Sequence, residues 1–142
     1  MSYATLQDLI DRAGQTEMQQ VAPDALGVAI DPATVDAALR HADNIVNGYV
    51  GTRYQVPLSS TPDLVRTWAV AIARHWLHRQ GPPDYVVADY KDAISALKDL
   101  AGGKIALPDT AGAEPTATTT RSVLSSSPPE VWDASGLRGW RC

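Results

Sequence analysis

The chain has 142 residues, enough for one domain of ordinary size, and a formal charge of −4 with acids and bases interspersed and no polybasic run; that balance argues against a protein whose main task is gripping DNA phosphates. Its lone cysteine, Cys142, rules out an intrachain disulfide and suits a reducing compartment such as the bacterial cytoplasm. No stretch approaches the roughly 20 apolar residues of a membrane span, and the N-terminal MSYATLQDLIDR carries acids early and lacks the apolar run of a signal peptide, so a soluble protein is expected.

Thr5 followed by Asp8 resembles a capping box and opens a first helix, with Leu6, Leu9, Ile10 and Ala13 on one face and Gly14 as its stop. Thr16 with Gln19 repeats the cap signal and predicts a short second helix ending before Pro23. Asp31-Pro32 is the sharpest start signal: an Asp N-cap ahead of Pro at the first helical position. Val35, Ala38, Leu39, Ala42, Ile45, Val46, Tyr49 and Val50 then recur at three and four residues, a stripe of about five turns with one buried face. Gly48 or Gly51 loosens its end. Thr61-Pro62 opens a fourth helix by the same logic. It carries Leu64, Val65, Trp68, Ala69, Ile72, Trp76 and Leu77 inward and stops at Gly81-Pro82-Pro83. A fifth runs from about Asp84 to Leu100, on Val86, Val87, Tyr90, Ala93, Ile94, Leu97 and Leu100, and ends at Gly102-Gly103. Lys104 to Leu107 reads as a small strand or an extended strap.

The expected fold is therefore all-α, a small bundle of about three long helices plus short N-terminal ones, with an extended C-terminal tail. Phe is absent, so Trp and Leu supply the large core volumes. The domain boundary falls near Pro108. Residues 1–108 form the helical domain, and 109–142 form a tail rich in Thr, Ser, Pro, Gly and Ala that cannot bury enough apolar surface alone to offset its ordering entropy. That tail still carries Val123, Leu124, Val131, Trp132, Leu137 and Trp140. Large apolar residues spaced along a flexible segment suit a docking peptide, each filling a pocket on a partner. The alternative is that they fold back on their own helices.

Several segments together resemble a family of Mu-like tailed-phage proteins. They are MSYATLQDLIDRAG at the N-terminus and the run from Val35 through Asn47-Gly48-Tyr49-Val50. Gly51-Thr52-Arg53-Tyr54-Gln55-Val56-Pro57-Leu58 resembles that family's RY-x-x-P-L turn. Leu64-Val65-Arg66 with Ala71 to Arg74, and Tyr90 to Leu97 with Ala101 to Leu107, match its later helices. The resemblance covers residues 1–108 and none of the tail. The family is similar to the all-helical head–tail adaptors of long-tailed phages. That similarity implies a virion ring, of twelve copies, between the portal protein and the stopper or tail-completion protein, assembled in the host cytoplasm. Phage DNA would cross its lumen without sequence-specific binding. It also implies that a C-terminal extension reaches the portal. Many such relatives carry an acidic, calcium-like loop before the long helix. Here Pro23 to Asp31 offers only Asp24 and Asp31, too few oxygen ligands for calcium.

Other constellations carry weaker signals. Tyr49, Arg53 and Tyr54 form a polar–aromatic group suited to contacting a neighbouring subunit or the tail. Equally, Tyr54 and Pro57 could close the turn onto the bundle while Arg53 complements a helix C-terminus. His75 and His78 lie three apart, but flanking Arg74 and Arg79 would oppose a cation and no Glu or Cys stands at ligand spacing, so no metal is expected. Arg66, Arg74, His75, His78 and Arg79 read as a solvated or intersubunit basic face. Asp36, Asp43, Asp89, Asp92 and Asp99 offer partners across a ring interface. Trp68 and Trp76 lie on a core stripe. No nucleophile elbow, Walker loop or H-E-x-x-H pair is present, so neither enzyme activity nor a cofactor is expected. The rival readings are a helical DNA-binding regulator, a tail-side completion protein, and a small helical enzyme, which would need a cleft of perturbed titratable groups.

Overall fold

The computed structural model describes residues 2–108 and is all-helical there: α1 (Leu6–Ala13), α2 (Gln15–Val21), α3 (Pro32–Val50), α4 (Asp63–Leu77) and α5 (Asp84–Ala101). Local chemistry explains most boundaries. Thr5 and Asp8 form a reciprocal capping box at the start of α1. Asp31 accepts from the backbone N–H groups of Ala33 and Thr34, satisfying two of the orphan donors of α3. Gly51 closes α3, and Gly102 closes α5, whose last residue, Ala101, lies one beyond the expected Leu100.

Two cap assignments are corrected. Thr16 is not an N-cap: Gly14, at φ +88°, turns the chain straight from α1 into α2, so that helix begins at Gln15. Thr61 likewise lies outside α4, whose N-cap is Pro62, with no side-chain cap. The fourth helix also stops early. It ends at Leu77 with His78 as C-cap, short of Gly81-Pro82-Pro83. His78 therefore flanks the helix and does not ride on it.

The short connection through residues 78–83 makes α4 and α5 antiparallel. Residues following α3 touch the segment following α5, so α3 and α5 point the same way, with α4 reversed between them. The core lies among these three helices, and α1 covers α4. Leu9, Met18, Ile72, Leu97 and Leu100 are fully buried there. Each contributes about 1.5–3 kcal/mol relative to exposure. Most of the expected stripes of α3, α4 and α5 is buried, Trp68 included, whereas of the α1 face only Leu9 is, with Leu6, Ile10 and Ala13 partly buried against the core. Ile45, Tyr49, Trp76, Tyr90 and Ile94 pack at the core's margin, and Leu64 faces solvent. Lys104–Leu107 is a strap and not a strand, with Leu107 buried against the bundle.

Tyr3 fixes the N-terminal segment to this frame. Its backbone N–H donates to Asp43 at 3.0 Å, its hydroxyl donates to Asn47, and it accepts from the N–H of Leu58 at 3.2 Å. One buried tyrosine thus ties the N-terminus, α3 and the α3–α4 linker together.

Candidate docking surfaces

Four features of the bundle combine chemistry with a defined position. The first is the corner after α3. The backbone N–H groups of Arg53 and Tyr54 bond to the carbonyl of Val50, continuing the helix into a tight turn. The Tyr54 hydroxyl accepts from the N–H of Leu107 at 3.0 Å, so this ring holds the strap that leaves the bundle. The Arg53 guanidinium lies against Gly103, just beyond the C-terminus of α5, where a cation complements the helix dipole. Gly103 sits at φ +86°, and a Cβ there would stand 2.9 Å from Arg53 Nη1. Tyr49, Arg53 and Tyr54 are all half-buried. The corner thus closes the turn within the chain and leaves part of each side chain accessible.

The second feature was not legible beforehand. Arg74, only 6 % exposed, faces inward. Its Nε and Nη2 donate to the two carboxylate oxygens of Glu17, both at 2.7 Å. His78 Nε2 stands 2.9 Å from the same carboxylate, and Arg74 Nη1 lies 3.9 Å from Asp89. The Tyr85 ring lies 5.2 Å from the guanidinium carbon, and Arg12 reaches Asp89 at 3.0 Å. The Arg74 hydrogen bond holds the Glu17 carboxyl below its ordinary range, and the same bond raises Arg74. Arg74 therefore belongs to no solvated or intersubunit basic face. It clamps α2 onto α4 and reaches towards α5.

His75 also leaves that face: it stacks on Tyr90 at 4.1 Å, and burial lowers its pKa. Arg79 covers the ring of Trp76 at 4.2 Å, with His41 on the margin. Among the acids, Asp43, Asp89 and Asp99 have partners within the chain.

The third feature is a cavity of about 610 Å³ between α1, α4 and α5. Trp68, Val70, Ala71, Ala93 and Ala96 give it apolar walls, and Asp8, Asp11, Arg12, Arg66 and Asp92 supply charges of both signs. The fourth is the loop between α2 and α3. The N–H of Asp31 bonds to the carbonyl of Ala22, and that of Asp24 to Ala29, closing a narrow loop. The Asp24 carboxylate accepts from the N–H groups of Val28 and Ala29, and these bonds lower its pKa. Gly27, at φ +71°, makes the reversal. Both loop aspartates are committed to backbone amides, Asp31 as the α3 cap. The loop's tip carries Leu26 and Val28, 84 % and 72 % exposed.

No group of three potential metal ligands occurs among the described residues, and no described helix is long and apolar enough to cross a membrane. Val123, Leu124, Val131, Trp132, Leu137 and Trp140 lie outside the described residues.

The sequence matches the family model described as Bacteriophage Mu, Gp36 over residues 3–125. It is 28 % identical over 138 residues to the Mu-like prophage FluMu protein gp36 of Haemophilus influenzae, covering 97 % of each chain. It is 29 % identical over 105 residues to Gene product J of Escherichia phage Mu, covering 73 % of this chain and 74 % of that one. The family match runs beyond the described residues to residue 125, so it takes in Val123 and Leu124, further than the motifs read from the sequence.

Proposed function

We propose, since this chain belongs to the bacteriophage Mu Gp36 family, that it is a non-enzymatic structural virion protein acting as the adaptor between the portal and the stopper or tail. In this reading copies of the bundle form a ring, with phage DNA passing through its lumen. The observation that carries it is the span of the family match: the all-helical unit and the residues up to 125 that follow it are matched together. The bundle supplies shape for ring-to-ring contact, with the Tyr49–Arg53–Tyr54 corner half-exposed beside the strap that leads into the tail. The tail supplies portal affinity, with Val131, Trp132, Leu137 and Trp140 as anchors beside Val123 and Leu124. Many copies engaging one portal multiply a modest individual contact through effective concentration. Commitment of Arg74 and Asp89 to internal pairs suits a conduit, because DNA must slide past without tight phosphate contacts.

A DNA-binding regulator fits less well. The short α2 follows a tight turn and exposes Gln15 and Gln20, but it bears no basic residue and its Glu17 is held by Arg74. The test is a pull-down of DNA-filled heads by the full chain and by a version truncated after Pro108. Binding by the full chain alone supports the adaptor with its tail as the portal hook. Binding by both keeps the adaptor and moves docking to the bundle. Binding by neither overturns the adaptor reading, and salt-dependent duplex binding then tests the regulator.

A further inference from the structure

The α2–α3 tip and the α1–α4–α5 cavity have no role in the adaptor reading, and they are complementary in character. We propose that Leu26 and Val28 of one copy seat in the cavity of a second copy of this chain. This deepens the ring reading and rests on it.

The tip is built to protrude. Two backbone bonds close its base and the Asp24 carboxylate holds its far limb, so its two large side chains are presented on an ordered loop. Seating them therefore requires little additional ordering. Within one chain they find no cover, at 84 % and 72 % exposed. The loop leads into the start of α3, the end of the bundle where α4 finishes. The cavity opens on another face, between α1 and α5 across α4. Thr67, Ala71, Ala93 and Ala96 are small, and they leave the space that a leucine and a valine would fill above Trp68.

A tip that cannot occupy its own cavity can occupy that of an identical neighbour. The contact joins two different patches, so it is heterologous and repeats from copy to copy, as a ring requires. Two side chains cover little of the roughly 800 Å² per partner of a specific interface. The contact is accordingly weak in isolation and becomes effective when copies are held side by side.

The test uses the full chain with Cys142→Ser as background. A tagged Val28→Cys protein is mixed with untagged Ala96→Cys at roughly 1 mM each, where even a contact with a Kd of about 1 mM is well populated, and the mixture is oxidised. A disulfide-linked heterodimer is expected on non-reducing gels. Adding Leu26→Asp to the tip protein should lower its yield at least about tenfold, because a carboxylate would replace the leucine against the apolar walls of Trp68, Ala71, Ala93 and Ala96; circular dichroism is used to check that this variant remains folded. Replacing the Ala96→Cys partner by Asp36→Cys, an exposed α3 position, should give only background. No heterodimer, or equal yield with Asp36→Cys, overturns the proposal. Head binding by the unmodified chain without the heterodimer overturns this contact and leaves the adaptor standing. The heterodimer without head binding does the reverse. Loss of head binding in Leu26→Asp, again without a heterodimer, would place the tip on a different virion protein.

Discussion

Replacing Glu17 with Gln tests whether one buried ion pair fixes α2 to the bundle. The change keeps the shape and one acceptor oxygen but removes the charge facing Arg74. Removing one partner of a buried pair costs roughly 3–5 kcal/mol, because the remaining ion is left uncompensated. Here Asp89, 3.9 Å from Nη1, and the Tyr85 ring compensate in part. The Glu17 side chain also keeps 18 % of its surface exposed. The expected loss is therefore about 2–3 kcal/mol, or on the order of 10 °C in Tm for a domain of this size. The assay is urea and thermal unfolding at pH 7. A double variant, Glu17→Leu with Arg74→Met, should recover most of the loss, since apolar replacement of both partners is often near neutral. The pH dependence has a defined sign. Glu17 titrates below its ordinary 4.5 in the folded state, so its contribution is fully present above that value and disappears as the pH falls through the lower folded value. A loss below about 0.5 kcal/mol in Glu17→Gln would refute the reasoning, showing that solvent screens the pair like an exposed one.

Gly103→Ala should destabilise by about 1–3 kcal/mol, from its positive φ and the approach of Arg53. Adding Arg53→Ala should restore only the steric part, as read by urea midpoints. Tyr54→Phe removes the acceptor for the Leu107 N–H and should cost about 1 kcal/mol, with faster hydrogen exchange at that amide. Asp24→Ala should speed exchange at Val28 and Ala29 while leaving the α3 amides unchanged, because the carboxylate orders the loop locally. Burial, with His78 and His41 nearby, lowers the His75 pKa, so its cation is disfavoured in the fold. Stability should then fall as pH drops below the ordinary 6.5, and unfolding at pH 7.5 and 5.5 should show a smaller fall in His75→Gln.

What could be read in advance follows from the range of each interaction. The long helices declare themselves because a stripe repeated through 19 residues of α3 outweighs local noise, and Asp31-Pro32 marks its start through chemistry within three residues. Start signals out of register by one residue (Thr61 for Pro62) or two (Thr16 for Gly14) fared worse: Pro62 and Gly14 act through backbone conformation, and the nearby threonines leave the caps to them. Arg74 shows the deeper limit. In its own stretch of sequence it stands among Arg66, His75 and Arg79, and a segment-by-segment reading makes it one cation of a solvated face. Its burial depends on Glu17, 57 positions away on a helix of only seven residues that carries no decisive apolar stripe. The same blindness applies at Leu26 and Val28. Their exposure is set by Asp24 bonding the amides of Val28 and Ala29, a loop closure that hydrophobic periodicity does not register. The positions where local rules misassign a charge or an apolar side chain are thus the ones that join α2 to the bundle and present the loop tip. Interactions between unlike elements, invisible in any single stretch of sequence, decide there what the surface offers a partner.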